Sequence, residues 1–336
     1  MRRHGNLYEK IINTENLELA YNKARKGKSW QRAIKLFNQN IPGNIQVIED
    51  LLKNKSYQVS PYTIKIIAEP KKREIFSLPF NPDRIIHHAI MNIIEPIWEG
   101  LFIYDSYACR IGKGLHAGSR RTMEFIRQNQ FVLKCDISKF YPSMNHDILY
   151  RIVERKIKCQ DTLWLLREII YSMPGGQNVP IGNYTSQWFG NLYLNELDHF
   201  LKHIYKIRHY IRYCDDFILF SNEKSYLRDM AGAIREFLSD KLKLRLSKCS
   251  LFPISQGVDF LGYRHFKKYI LLRKSTAKRI KKRLAALPGL YRRGLINLDQ
   301  LRSSIDSISG WLKWANTNNL SIALQIDNLR NEFLGI

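Results

Sequence analysis

Long apolar runs are missing from this chain. No stretch approaches the ~18 residues that span a bilayer, and the opening MRRHGNLYEK contains no signal-peptide core. Cysteine is sparse and ill-placed for a scaffold. Cys109, Cys135, Cys159, Cys214 and Cys249 are odd in number and scattered, with no CxxC pair. Neither a disulfide framework nor a zinc site is indicated, and the expectation is a reduced, cytoplasmic protein without a membrane partner. Low-complexity linkers and internal repeats are also absent. Acidic residues are in short supply: 30 Asp and Glu face 54 Lys and Arg, a formal charge of +24 over 336 residues. A surplus that large points to a polyanionic partner, and with a membrane disfavoured, to nucleic acid.

What is present is an ordinary core-forming composition, 45% hydrophobic and 25% charged, with length for about two domains. Residues 15–55 carry apolar positions at near-helical spacing, with Pro42–Gly43 expected to break the run. YTIKII and REIFSLPF, within 57–80, suggest a strand pair. Residues 84–99 read as a helix, FVLKCDI as a strand, 145–172 as helical, SMPGGQNVPIG as a loop, and 184–206 as a helix. A hairpin at RYCDDFILF, a helix over 224–243, and strand-like FLGYRHF and YILLR follow. From Ser275 the pattern is helical and basic. This mixture predicts an α+β protein with two domains, 1–264 and a helical 265–336. The segment 264–336 holds +11 of the total charge, and AKRIKKRLAAL sets Lys278, Arg279, Lys281, Lys282 and Arg283 on one short helix, read as tracking phosphates.

RYCDDFILF places two adjacent carboxylates between apolar runs. Burying a lone carboxylate costs several kcal/mol unless a partner or metal takes up its charge. In one straight strand Asp215 and Asp216 would point to opposite faces, so a tight turn is expected at Cys214–Asp215. Upstream, Asp136 ends the strand FVLKCDI and shares a face with Val132 and Lys134. If that strand pairs with the hairpin, Asp136 meets Asp215. Clustered carboxylates need cations, and two Mg²⁺ ions ~3.5–4 Å apart are the natural solution for moving a phosphoryl group. The trio predicts metal-dependent nucleotidyl transfer.

Taken in order, these segments resemble the reverse transcriptases, RNA-directed DNA polymerases with a right-hand fold. Tyr213-Cys214-Asp215-Asp216 looks like the YxDD box, and Asp136 with Phe140 and Tyr141 like the first palm carboxylate and its aromatic followers. KKREIFSLPFNPDRIIHHAI resembles the fingers segment, and SYACRIGKGLHAG the motif after it. LKLRLSKCSLF and GVDFLGY resemble the last palm motif and primer grip. The resemblance implies fingers and palm over 1–264 and a thumb over 265–336. It implies Asp136, Asp215, Asp216 and the Ile137 carbonyl as ligands of two Mg²⁺ ions, for which Mn²⁺ can substitute. It makes Tyr141 a steric gate against a 2′-hydroxyl, or else plain core. Lys71 and Arg73 become triphosphate clamps, or else a solvated hairpin. Phe140, Ile181, Gly182 and Gln187 join the dNTP site, with Gly182 allowing close backbone approach. Lys248 either protonates the pyrophosphate or is simply exposed. Leu261 and Gly262 form the primer grip, and Arg110 and Lys113 join the thumb cations on nucleic acid. His87 and His88 receive no role, and Trp311 and Trp314 are expected in the thumb's own core.

PIGNYTSQ departs from the QGxxxSP pattern of many such enzymes. Its IGxxxSQ form, with SYACRxGKG, LLRKS and SGWLKWANTNNL, is similar to reverse transcriptases of diversity-generating retroelements. That subtype implies a structured template RNA, cDNA, dNTPs, a small basic helical accessory protein and errors at template adenines. Two alternatives stand beside it: a defence-associated or other stand-alone bacterial reverse transcriptase copying a non-coding RNA, and a maturase or scaffold with a vestigial site. No RNase H or endonuclease domain is expected in the remaining residues.

Overall fold

The computed structural model describes residues 3–68, 73–324, 331 and 333. The chain opens with four helices, α1 (Tyr8–Ile12), α2 (Thr14–Arg25), α3 (Arg32–Phe37) and α4 (Ile41–Lys53). Asn13 caps α2 and Asn40 caps α4, each side chain accepting an early backbone N–H. Pro42 and Gly43 do not break a helix here. They lie in the first turn of α4, where proline's missing N–H has no intrahelical partner to lose. Strands β1 (Thr63–Ile67) and β2 (Arg73–Ser77) form an exposed antiparallel ribbon, followed by α5 (Ile85–Glu99), buried along most of its length.

Next come α6 (Leu115–Gln128), β3 (Phe131–Ile137), α7 (Phe140–Ser143), α8 (His146–Glu154), α9 (Gln160–Ile170) and α10 (Tyr184–His199). The helical stretch expected over 145–172 is thus two helices. Strands β4 (Tyr210–Tyr213) and β5 (Asp216–Ser221), helix α11 (Lys224–Leu242) and strand β6 (Leu246–Pro253) complete a four-stranded antiparallel sheet of order β4-β5-β3-β6. Period-2 alternation sorts its residues. Leu133, Cys135, Ile137, Phe217 and Leu219 enter the main core with the helices. Val132, Ile218 and Phe220 enter a second core with Tyr107, Phe125 and Phe260. Lys134 and Asp136 continue the row begun by Val132, so this second face turns from apolar to charged along the strand.

Strands β7 (Val258–Phe260), β8 (Tyr263–His265) and β9 (Ile270–Leu272) form a small sheet, and α12 (Lys274–Arg292), α13 (Leu298–Lys313) and α14 (Asn318–Ala323) follow. The expected boundary at 264/265 falls inside β8. Tyr263 and Leu272 pack with α12 and α13 in a third core. Trp311 and Trp314 do more than fill that core. Trp311 stacks on Tyr263, and Trp314 stacks on His116 of α6. Among the described residues, no helix is long and apolar enough to cross a membrane.

A buried polar relay closes the joint between the helical segment and the sheet domain. Trp314 Nε1 donates to Ser119 Oγ at 2.8 Å, and Ser119 Oγ lies 2.7 Å from His265 Nε2. His265 Nδ1 lies 3.2 Å from the Val258 carbonyl, so Nδ1 carries the proton and Nε2 accepts. The relay therefore requires a neutral imidazole, and burial pushes His265 down to about 4. A depressed histidine contributes stability above its unfolded pKa of ~6.5 that is lost as pH falls towards 4. The expected cost at pH 5 is about 2 kcal/mol. Denaturant melts at pH 7 and 5 check this: His265→Gln should be weaker at pH 7 but lose less than wild type on acidification. His87 and His88, also depressed by burial, fall equally in both proteins.

Candidate active site

β4 and β5 pair Tyr213 with Asp216, leaving Cys214 and Asp215 as a two-residue turn. Cys214 is left-handed, with φ 53°, a conformation that costs a side-chain-bearing residue ~1–2 kcal/mol. Asp136 pairs in register with Asp216, not with Asp215 as the sequence suggested. The reason is the turn length: Asp216 is already the first residue of β5, and Asp215 lies beyond it. Asp215 is tied to β3 through its carbonyl, which accepts the Ile137 N–H at 3.3 Å.

The two paired carboxylates are held differently. Opposite Asp136, β6 slips by one residue between Lys248 and Leu246, and the extra residue is Ser247. Bulges commonly re-aim a side chain beside an active site. Ser247 Oγ donates to Asp136 Oδ2 at 2.6 Å and lies 3.1 Å from the Asp136 carbonyl. Asp216 Oδ2 faces Lys134 Nζ at 3.6 Å, while its buried Oδ1 has no hydrogen-bond partner. Burial, with Asp136 beside it, pushes Asp216 up to about 6 against the pull of Lys134. Among the described residues no three carboxylates, imidazoles or thiols already converge into a ligand cage. The donor set is nevertheless hard oxygen, and the orphaned Asp216 Oδ1 is a free acceptor, which suits Mg²⁺.

Behind the turn lies a buried cation. Arg212 and Asp198 are both fully buried and joined by Nη2–Oδ2 at 2.6 Å and Nε–Oδ1 at 2.8 Å. The Cys214 thiol lies against that of Cys109, whose pKa the contact lowers to about 7.

Residues 52–265 match the family described as reverse transcriptase (RNA-dependent DNA polymerase). The chain belongs to the reverse transcriptase family. It is 26% identical over 274 residues to Protein YkfC of Escherichia coli (strain K12), covering 67% of this chain and 71% of YkfC. It is 23% identical to the group II intron-encoded protein LtrA of Lactococcus lactis subsp. cremoris, over 65% of this chain and 49% of LtrA. The apo telomerase of Candida tropicalis has a similar fold, with TM-score 0.52 at 12% identity over 75% of this chain and 57% of that one. The chain thus spans only about half the length of LtrA and of the telomerase chain. The likeness shows a right-hand polymerase fold.

Several of the remaining sequence candidates lie close to this sheet. Phe140 and Tyr141 open α7, their rings 5.1 Å apart and packed against Gly190 of α10. Lys248 is exposed and sits opposite Asp136 in the β6 register. Leu261 and Gly262 form the β7–β8 turn, both with positive φ, and Lys134 Nζ donates to the adjacent Asp259 carbonyl. Arg73 begins β2 and is exposed, while Lys71 lies outside the described residues. Gln187 is exposed in the first turn of α10. Lys278, Arg279, Lys281, Lys282 and Arg283 are all exposed on α12, with Ile280 and Leu284 turned into the core.

Arg110 is not available to nucleic acid. Its side chain is 6% exposed, bound to Glu99 at 2.7 Å and to the carbonyls of Ile103 and Ser106. Lys113 is half-buried, folded over the Tyr104 ring at 3.4 Å and donating to the Tyr104 carbonyl. Lys134, Ser247, Asp198 and Arg212, which contact the acids, their turn or one another, were not among the sequence candidates. Lys134 at least shares a visible alternation with Asp136. Ser247 depends on a bulge that no local residue pattern announces.

Gly182 allows a close approach, but to protein. The Ile181 carbonyl accepts the Phe76 N–H at 2.7 Å, stitching this strip to β2. Gly182 follows at φ 129°, and a β-carbon there would stand 2.3 Å from the Phe76 carbonyl oxygen. Both the backbone conformation and the rigid neighbour exclude a side chain. Gly182→Ala is expected to cost about 2 kcal/mol or more. Denaturant melts check the magnitude, and faster hydrogen exchange over 73–77 would place the damage in the ribbon.

Proposed function

We propose that this chain is an RNA-directed DNA polymerase that copies a structured template RNA into cDNA, and that it serves a diversity-generating retroelement. The observation that carries the polymerase reading is the Asp136–Asp216 register with Asp215 at the adjoining turn, in a chain of the reverse transcriptase family. Asp136, Asp215 and Asp216, helped by the Ile137 carbonyl, would hold two Mg²⁺ ions, which would supply the Lewis acidity and charge neutralisation that nucleotidyl transfer needs. Tyr141, backed by α10, closes the sugar pocket against a 2′-hydroxyl. Arg73 and Lys71 engage the triphosphate, and Lys248 offers a proton to the pyrophosphate. Leu261 and Gly262 support the primer end, and the exposed α12 cations follow the duplex backbone. A small basic accessory protein completes the assembly.

The group II intron-encoded name of LtrA supports RNA as the partner, and the intact carboxylate trio argues for catalysis over a scaffold role. Asp215→Ala should reduce primer extension by ~10³-fold or more while leaving melting temperature and RNA affinity nearly unchanged. Primer extension beside a thermal melt and a filter-binding assay measures all three. Appreciable residual synthesis would remove Asp215 from the site.

The retroelement reading rests on Ile181. Its backbone is committed to β2, so its side chain offers the nucleotide pocket only shape and apolar contact. Apolar contact discriminates weakly between similar ligands, whereas an unsatisfied polar group penalises a misfit by ~1–3 kcal/mol. Ile181→Gln should therefore lower misincorporation opposite template adenine by about 5-fold or more, as one such contact implies. Deep sequencing of cDNA from both proteins on one template gives the ratio. Wild-type synthesis that is already faithful at adenine would end the retroelement assignment.

A further inference from the structure

We propose that Arg212 is a positioning residue for polymerisation: its buried guanidinium fixes the Cys214 carbonyl and, through it, the place of Asp215. The proposal rests on the polymerase reading above. Every nitrogen of the fork is in use. Nε and Nη2 grip both oxygens of Asp198, and Nη2 lies 3.4 Å from the Asn191 carbonyl. Nη1 is shared between Asn191 Oδ1 at 3.1 Å and the Cys214 carbonyl at 3.2 Å. The backbone of Arg212 is pinned as well: its N–H donates to the Asp105 carbonyl, and its carbonyl accepts the Tyr107 N–H, both at 3.0 Å.

Three physical points turn this contact into a role. A fully buried ion pair adds little net stability over apolar residues of the same size, so stability alone does not account for it. The turn it touches is the part of the hairpin that needs an outside hold, because Cys214 is left-handed without being glycine. Finally, the turn is clamped at consecutive carbonyls from two sides. Arg212 takes that of Cys214, and Ile137 of the catalytic strand takes that of Asp215. Asp198 and Asn191 both come from α10, the helix whose first turn carries Gln187. The guanidinium therefore sets the carboxylate turn relative to that helix as well as to the sheet.

Arg212→Lys tests this. It keeps a cation for Asp198 but has no planar fork to hold Asp198 and the Cys214 carbonyl together. The readouts are kcat and KM for dTTP on poly(rA)·oligo(dT), the melting temperature, and Mn²⁺ binding followed by electron paramagnetic resonance without nucleic acid. A displaced carboxylate should lower kcat ~10- to 100-fold. KM should stay within about 3-fold, and Mn²⁺ affinity should fall by at least about 3-fold. The melting temperature should stay within a few degrees. Unchanged kcat and Mn²⁺ affinity would overturn the proposal, as would losses that follow the melting temperature and recover when trehalose restores it. If Arg212→Lys does not fold, Asn191→Ala carries the test, since it leaves the Asp198 pair intact and frees Nη1 on one side; the same split is expected, with a smaller fall in kcat. A wild-type protein that extends no primer would sink the polymerase reading, while the Mn²⁺ comparison would still judge Arg212.

Discussion

Mutual repulsion between carboxylates is the constraint around which this palm is arranged. Asp136 and Asp216 face each other across two strands at the end of a sheet face that begins with Val132, Ile218 and Phe220. Like charges directly opposite in a sheet are destabilising, and more so where water is scarce. Each is answered separately. Ser247 supplies a hydroxyl donor to Asp136, and Lys134 stands 3.6 Å from Asp216. Burial first, and Asp136 after it, raise the pKa of Asp216 despite Lys134. The fold thus holds its acids apart and only partly neutralised.

The same arrangement explains what the sequence made legible. Strand β3 and the hairpin announce themselves by β-branched and aromatic runs on either side of acids that a buried strand would not carry. The fingers ribbon, α5 and the basic α12 follow from alternation or helical period in the same way. The pairing of Asp136 with Asp216 was not legible, because it depends on the turn closing in two residues with Cys214 left-handed. Cysteine gives no warning of that conformation, which asparagine or glycine would have done. The Ser247 bulge and the Arg212–Asp198 pair are tertiary facts of the same kind. Arg110 was misread for a related reason: a cation in a Gly-rich basic loop looks solvent-facing, and only the fold brings Glu99 and two carbonyls to it.

Two groups of cations can be told apart in this protein, one paired inside the fold and one exposed on α12. Arg110, Arg121, Arg212 and Lys202 all have acidic partners inside the structure. The five cations of α12 project from a helix whose other side packs Ile280 and Leu284, and none has a salt bridge among the described residues. The net excess of the chain is therefore not evenly spread, and a substantial share of it stands exposed on α12. Its orientation depends on the joint at Tyr263, Trp311, Trp314 and His265. The joint combines aromatic stacking with two polar links, Trp314–Ser119–His265 and His116–Tyr263–Trp311.

Fingers and palm are joined more tightly than the ribbon's exposure suggests. Ile181 extends β2 by one backbone hydrogen bond, Asn183 Nδ2 donates to Tyr62 Oη at 3.0 Å, and Tyr62 reaches Ser172 Oγ at 2.8 Å. The strip between Pro180 and Asn183 is thus fixed by main-chain and amide contacts that do not depend on the identity of side chain 181. Side chain 181 could then be changed without moving the strip. Gly182 beside it has no such freedom, because its β-carbon position is already taken by the Phe76 carbonyl. An apolar residue at 181 is thus free to vary beside a glycine at 182 that is not.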